Sequence, residues 1–167
     1  MKRIIIFLIL ILCGMAGLYV STGYGHRNSA PNLECISCHE GEMVQNMVKV
    51  QGLPKNYVPG KTYNLTVVVT SDLDSMSECK GGFAIEASAG KLVVKDKKNT
   101  QLSNGILTHT QEGSGLRKWN FSWKAPSEKI DASITVMAVA ANGDYSPFGD
   151  KVGADSYTIH YTGKSTK

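Results

Sequence analysis

Lys118-Trp119-Asn120-Phe121-Ser122-Trp123-Lys124 places three aromatic side chains on one side of an extended backbone and four polar ones on the other. A period of two yields a single apolar face only in a β-strand, so this segment predicts a half-buried strand with Trp119, Phe121 and Trp123 turned to a core. The alternation recurs upstream. Leu65, Val67 and Val69 alternate with Thr66 and Thr70, and Phe83, Ile85 and Ala87 with Ala84 and Glu86. Similar stretches run over 105–110, 132–141 and 156–162. In the second of these Ile134 and Val136 on one face and Met137 and Val139 on the other are all apolar, which reads Met137 as a packing residue. Pro59-Gly60, Gly81-Gly82, Ser103-Asn104-Gly105, Gly113-Ser114-Gly115, Ala125-Pro126 and Asn142-Gly143-Asp144 punctuate the runs. Short strands at regular intervals, with turn chemistry between them and no long amphipathic helix, predict an all-β chain folded as an antiparallel sandwich of two sheets. A short helical turn is expected over 38–47.

The N-terminus has a different composition. Lys2 and Arg3 precede an almost unbroken apolar run over 4–20, and Ser21-Thr22-Gly23-Tyr24-Gly25 follows it. That charged, apolar, small order is a secretory signal, cleaved after Gly23 or Gly25 or retained as a membrane anchor through residues 4–20. Cys13 belongs to the apolar run, since Leu12 stands before it where a lipoprotein site wants a small residue. The chain has 18 basic and 14 acidic residues, and loss of Lys2 and Arg3 leaves 16 against 14. Such near balance leaves no electrostatic footprint for nucleic acid. The expected organisation is a signal or anchor over 1–25, a linker and attachment segment over 26–50, a sandwich over 51–163 and a short tail over 164–167.

Within the second segment stands Cys35-Ile36-Ser37-Cys38-His39, a CxxCH motif. Its spacing suits covalent attachment of one c-type haem: two thiols three positions apart meet the two vinyl groups along one porphyrin edge, and the next side chain brings an imidazole to the iron. Cys35 and Cys38 are the expected thioether tethers and His39 the expected proximal ligand. A zinc site would want a further Cys or His pair, and a thioredoxin-like redox pair would want alternating strands and helices around it. Neither accompanies the motif. Cys79 is left without an obvious partner, so disulfides are not the framework of this domain.

Read in order, the CxxCH near the mature N-terminus, Tyr57-Val58-Pro59-Gly60-Lys61-Thr62-Tyr63, Gly82-Phe83, Thr108-His109-Thr110, Trp119-Asn120-Phe121-Ser122-Trp123-Lys124-Ala125-Pro126, Ala141-Asn142-Gly143-Asp144 and Gly149-Asp150 resemble the prokaryotic reeler-like domain, also labelled choice-of-anchor V. The resemblance spans roughly residues 31–161. It implies an immunoglobulin-like β-sandwich on an exported protein, often with the CxxCH near its start. Related animal modules sit beside haem-dependent redox domains but are usually disulfide-bonded and lack the motif. Members often carry a C-terminal anchoring segment. Here the tether is expected at the N-terminal run.

A six-coordinate iron needs a second ligand, and His26, His109, His160 and the methionines are the candidates. Met43 follows His39 by four residues, so on a helical turn it stands on the proximal side. His160 falls in the polar set with Thr158 and Thr162 and is expected to face solvent. His26 lies in the lead-in, where nothing in the sequence holds it. His109 shares a strand face with Leu107, is flanked by threonines able to fix a ring nitrogen, and arrives from the body of the sandwich; it is the preferred distal candidate. The competing reading is a histidine satisfied by a backbone carbonyl. Met47, Met76 and Met137 form the next tier.

Trp119 and Trp123 are read as core before relay. Asp144 and Asp150 are read as turn formers before calcium ligands. Asn64 and Asn120 head glycosylation acceptors that fall inside predicted strands. No nucleophile and base pair is visible, so turnover by side chains is not expected. The expectation is therefore an exported monohaem c-type cytochrome-like electron carrier in the periplasm or at the cell surface, exchanging electrons with an extracytoplasmic redox partner. The alternative is an adhesion or partner-binding sandwich with a structural haem. A five-coordinate sensor or peroxidase is a third reading.

Overall fold

The computed structural model describes Leu33, Cys35 and residues 39–162; the apolar run 4–20, His26, Cys38 and the tail 164–167 lie outside the described residues. The described strands form two sheets. The larger contains β1 (Glu40–Met43), β11 (Phe148–Tyr161), β10 (Ala132–Ala140), β5 (Gly81–Ala87), β8 (Ile106–His109) and β7 (Thr100–Ser103) in that spatial order, with β3 (Asn56–Tyr57) beside the far end of β11. The smaller runs β2 (Val48–Gln51), β4 (Thr62–Val69), β9 (Lys118–Lys124) and β6 (Lys91–Val94). Pairing is antiparallel except where β1 and β3 run parallel to β11.

The aromatic strand sits at the centre of this arrangement. Leu65 lies opposite Phe121 and Val67 opposite Trp119, so the apolar faces of β4 and β9 form one surface. It packs against Phe83, Ile85, Leu107, Ile134, Val136 and Ala138 of the larger sheet in one contiguous core. Polar tips inside that core are all used. The indole of Trp119 donates to the Gly113 carbonyl at 2.8 Å and that of Trp123 to the Ala89 carbonyl at 3.0 Å. Both tryptophans are fully buried, as their alternation predicts.

Several stretches differ from the sequence expectation, the unpredicted short strands β2 and β3 among them. The helical turn expected over 38–47 is strand β1 followed by a tight turn into β2; an available edge of β11 supplies backbone partners that outweigh local propensity. Sheet pairing thus begins at Glu40, inside the segment assigned to linker and attachment. Strands β6 and β7 have no long alternation of their own and arise from pairing with β9 and β8. Strand β11 begins at Phe148, well before residue 156.

Strand β10 explains its two apolar faces. Ile134, Val136, Ala138 and Ala140 enter the main core, whereas Val139 and Met137 point to the opposite side of the sheet. There Met137 meets a cluster of Leu33, Ala84 and Ile106 and a second cluster of Val139, Ala141 and Val152. An antiparallel sheet normally turns this side to water. Here Leu33 and Cys35 pack on it.

Candidate functional site

Of the CxxCH motif, Cys35 and His39 are described and are joined through their backbones. The His39 amide donates to the Cys35 carbonyl at 2.9 Å, which brings the first cysteine and the histidine alongside one another. Cys35 packs against the cluster of Val139, Ala141 and Val152 on the outer side of the larger sheet. Leu33 anchors the same segment two residues earlier, buried against Ala84 and Ile106.

Strand β1 then fixes the histidine. Gly41 approaches β11 so closely that a Cβ there would stand 2.1 Å from the Asp150 carbonyl oxygen, a distance no other residue type allows. That approach puts His39 beside the Asp150 side chain. Nδ1 of His39 lies 2.6 Å from Oδ2 of Asp150, whose side chain is only 3% exposed, and Oδ1 of Asp150 accepts from the Asn142 amide at 3.0 Å. An ionised carboxylate only accepts, so it holds the proton of His39 on Nδ1 and leaves the Nε2 lone pair available as a ligand. A ring nitrogen tied to a carboxylate is the usual outer support of a metal-ligating histidine.

His109 reaches this region from the other side. By strict alternation its side chain would follow Leu107 into the core. Instead its ring fills the space of the side chain that Gly82 lacks: a Cβ on Gly82 would stand 2.3 Å from Cε1 of His109. Gly82 is registered opposite Val139, and Val139 opposite Val152. Cross-strand partners point to the same face, so the imidazole shares the outer surface with Val139, Val152 and Cys35. Nδ1 of His109 lies 3.2 Å from the Phe83 amide, 3.3 Å from the Phe83 carbonyl and 3.3 Å from the Thr108 hydroxyl, the threonine contact that the sequence anticipates. When Nδ1 donates to that carbonyl, Nε2 is left with its lone pair. Burial pushes the imidazole below the ordinary value of 6.5, the hydrogen bond to Phe83 works the other way, and the neighbourhood of His39 adds a smaller lowering. Burial thus favours the neutral imidazole, and the tautomer decides whether Nδ1 accepts from the Phe83 amide or donates to its carbonyl.

The remaining candidates are dispersed. Met47 is buried in the main core, Met76 is 75% exposed in a loop, and Met43 is 50% exposed on β1 rather than on a helical turn. Met137 lies half-buried beneath the N-terminal segment, where it bridges the two outer clusters; its packing role holds, though outside the main core. His160 sits at the opposite end of β11 from Asp150, half-buried, with Nδ1 3.1 Å from Asp131. Asp144 accepts from the Ser146 amide in an exposed turn. Asn64 and Asn120 lie in strands β4 and β9, each bonded to a cross-strand hydroxyl.

Asp150 is the residue that sequence reasoning missed. Gly149-Asp150 reads as a turn, and nothing local signals that its carboxylate meets a histidine 111 residues away. The buried apolar row beneath Cys35 had a visible signal, the two-faced β10, without an indication of what covers it.

No family model matches the chain, and no curated protein does. Among solved structures the chain is similar to the human F-spondin reeler domain, with 14% identity, a TM-score of 0.53, and 75% of this chain and 96% of that one covered. It is likewise similar to the Reelin-N domain of F-spondin, with 15% identity, a TM-score of 0.53, and coverage of 77% and 95%. At this identity the likeness concerns architecture, and the chain has the reeler-like fold, an antiparallel β-sandwich of two sheets.

Proposed function

We propose that this chain is an exported monohaem c-type cytochrome-like protein that transfers electrons. In this reading Cys35 and Cys38 form the thioethers, His39 is the proximal ligand and His109 the distal one. The observation that carries it is the His39 to Asp150 contact: a buried carboxylate on Nδ1 is the support that a metal-ligating histidine uses, and it leaves Nε2 for a ligand role.

The residues present fit a haem. Cys35 packs on the buried apolar cluster of Val139, Ala141 and Val152, which fixes one expected tether close to the sheet. Gly82 leaves the hollow that lets the His109 ring lie against the sheet. When bound, haem supplies a one-electron iron couple whose potential depends on its axial ligands and on hydrogen bonds to them. Asp150 orients His39 and raises its basicity, Phe83 and Thr108 hold His109, and the outer apolar residues exclude water from one side. The signal-like run over 4–20 supports export to a compartment where the attachment machinery works, with the run cleaved or kept as a tether.

The test is direct. Protein produced with a cytochrome-maturation system should show c-type bands on reduction, resist extraction by acid acetone and bind no carbon monoxide when reduced. A bare polypeptide mass would overturn the reading. Binding of carbon monoxide would leave attachment intact and remove His109 as a ligand. The second reading, a partner-binding sandwich with a structural haem, draws on the second apolar face that the attachment segment covers; a haem that does not cycle with mild reductants would favour it.

A further inference from the structure

We infer that the 142–148 turn, together with the exposed edge of β1, is the docking face for a basic redox protein; the inference rests on the electron-transfer reading above. The turn is joined to the ligand site through one residue. Asn142 donates its amide to Asp150, the carboxylate on His39, accepts from the Met76 amide at 2.7 Å, and donates its side-chain nitrogen to the Phe148 carbonyl at 3.1 Å. A partner seated here rests directly over the support of the proximal histidine.

The face has the composition of a transient interface. Tyr145 and Phe148 of the turn are 81% and 59% exposed, and Met76, whose amide bonds to Asn142, is 75% exposed, large apolar groups that the fold leaves in water. Tyr145 also adopts φ 62°, a left-handed conformation that is unfavourable for a bulky side chain and that holds the ring outward. Carboxylates flank these groups. Glu40 is registered opposite Phe148, Asp144 adjoins Tyr145, and Glu42 and Asp72 lie on either side of Lys151, whose ammonium is taken up by Asp72 at 2.7 Å. Without Lys2 and Arg3 the chain has 16 basic residues against 14 acidic ones, so Glu40, Glu42 and Asp144, with Asp72 already paired to Lys151, stand out locally from a slightly basic whole.

An apolar centre with an acidic rim selects a partner with the complementary pattern, because unlike charges steer encounter and a small apolar contact permits quick release. A second copy of the chain would set like charges against each other, and an anionic membrane would be repelled.

The experiment uses the haem-loaded protein, first shown to reduce with dithionite, and follows electron exchange by stopped flow with a basic c-type cytochrome and with an acidic redox protein. The rate with the basic partner should exceed that with the acidic one and fall about tenfold or more as salt rises. Glu42→Gln with Asp144→Asn should flatten that salt dependence, and Tyr145→Ser with Phe148→Ser should slow exchange several-fold at high salt. Both variants should keep the parent spectrum and the parent rate with a small neutral reductant. Equal rates with both partners, or variants that exchange at the parent rate, would overturn the assignment while leaving electron transfer standing. Loss of a dimer in the variants in place of a rate change would assign the face to self-association. A haem that dithionite does not reduce would remove both readings.

Discussion

Asp150 uses both of its oxygens, one on His39 and one on the Asn142 amide, and so couples the proposed proximal ligand to the turn that begins at Asn142. Asp150→Asn replaces a charged acceptor by a neutral one, weakens the hold on the Nδ1 proton and makes His39 a poorer donor. The reduction potential of the haem protein should rise, measured by potentiometric titration, and folding stability should fall by about 1–3 kcal/mol as the buried contacts weaken. His109 gives a pH prediction in the haem-free chain. Its folded pKa is lowered chiefly by burial, so the unfolded chain binds more protons below 6.5. Stability is then full above that value and declines as pH falls through it. Urea midpoints measured between about pH 8 and about pH 5 should drop more in the parent than in His109→Gln. Of these two residues, His109 was singled out by its flanking threonines, and its contact with the Thr108 hydroxyl is the part of that reading the structure contains. Asp150 was not legible, because a hydrogen bond across 111 residues leaves no local pattern.

Strand β5 meets the site at Gly82, and the conflict there defines a third prediction. Gly82→Ala would place a Cβ 2.3 Å from the His109 ring, while the strand's pairing with β10 needs no glycine at that register. The sandwich should persist by far-ultraviolet circular dichroism, and the low-spin haem spectrum should change as the ring is displaced. Periodicity exposed the strands with one clean apolar face, β4, β5 and β9, because such a face must be buried somewhere. It missed β6 and β7, which exist through their partners, and it misread β1, where an open strand edge decides the conformation of a polar, glycine-bearing segment. Strand β10 carried more information than a core strand needs. Its second apolar face announced a cover on the outside of the sheet.

At the scale of the whole molecule, the main core lies between the sheets and draws nothing from Leu33 or Cys35, which belong to separate outer clusters. Folding and attachment are therefore separable. Cys35→Ser with Cys38→Ser should yield a chain that unfolds cooperatively in urea as a β-protein by circular dichroism; loss of the cooperative transition would contradict that separation. The amino-acid sequence by itself determined the all-β class, the aromatic core and the attachment motif, because alternation, turn chemistry and a five-residue spacing are all local. Tertiary structure alone decided which carboxylate supports His39, which face of the sheet the motif crosses and where His109 points. Those facts depend on strand order and register, and register brings together residues whose separation along the chain carries no trace of their contact.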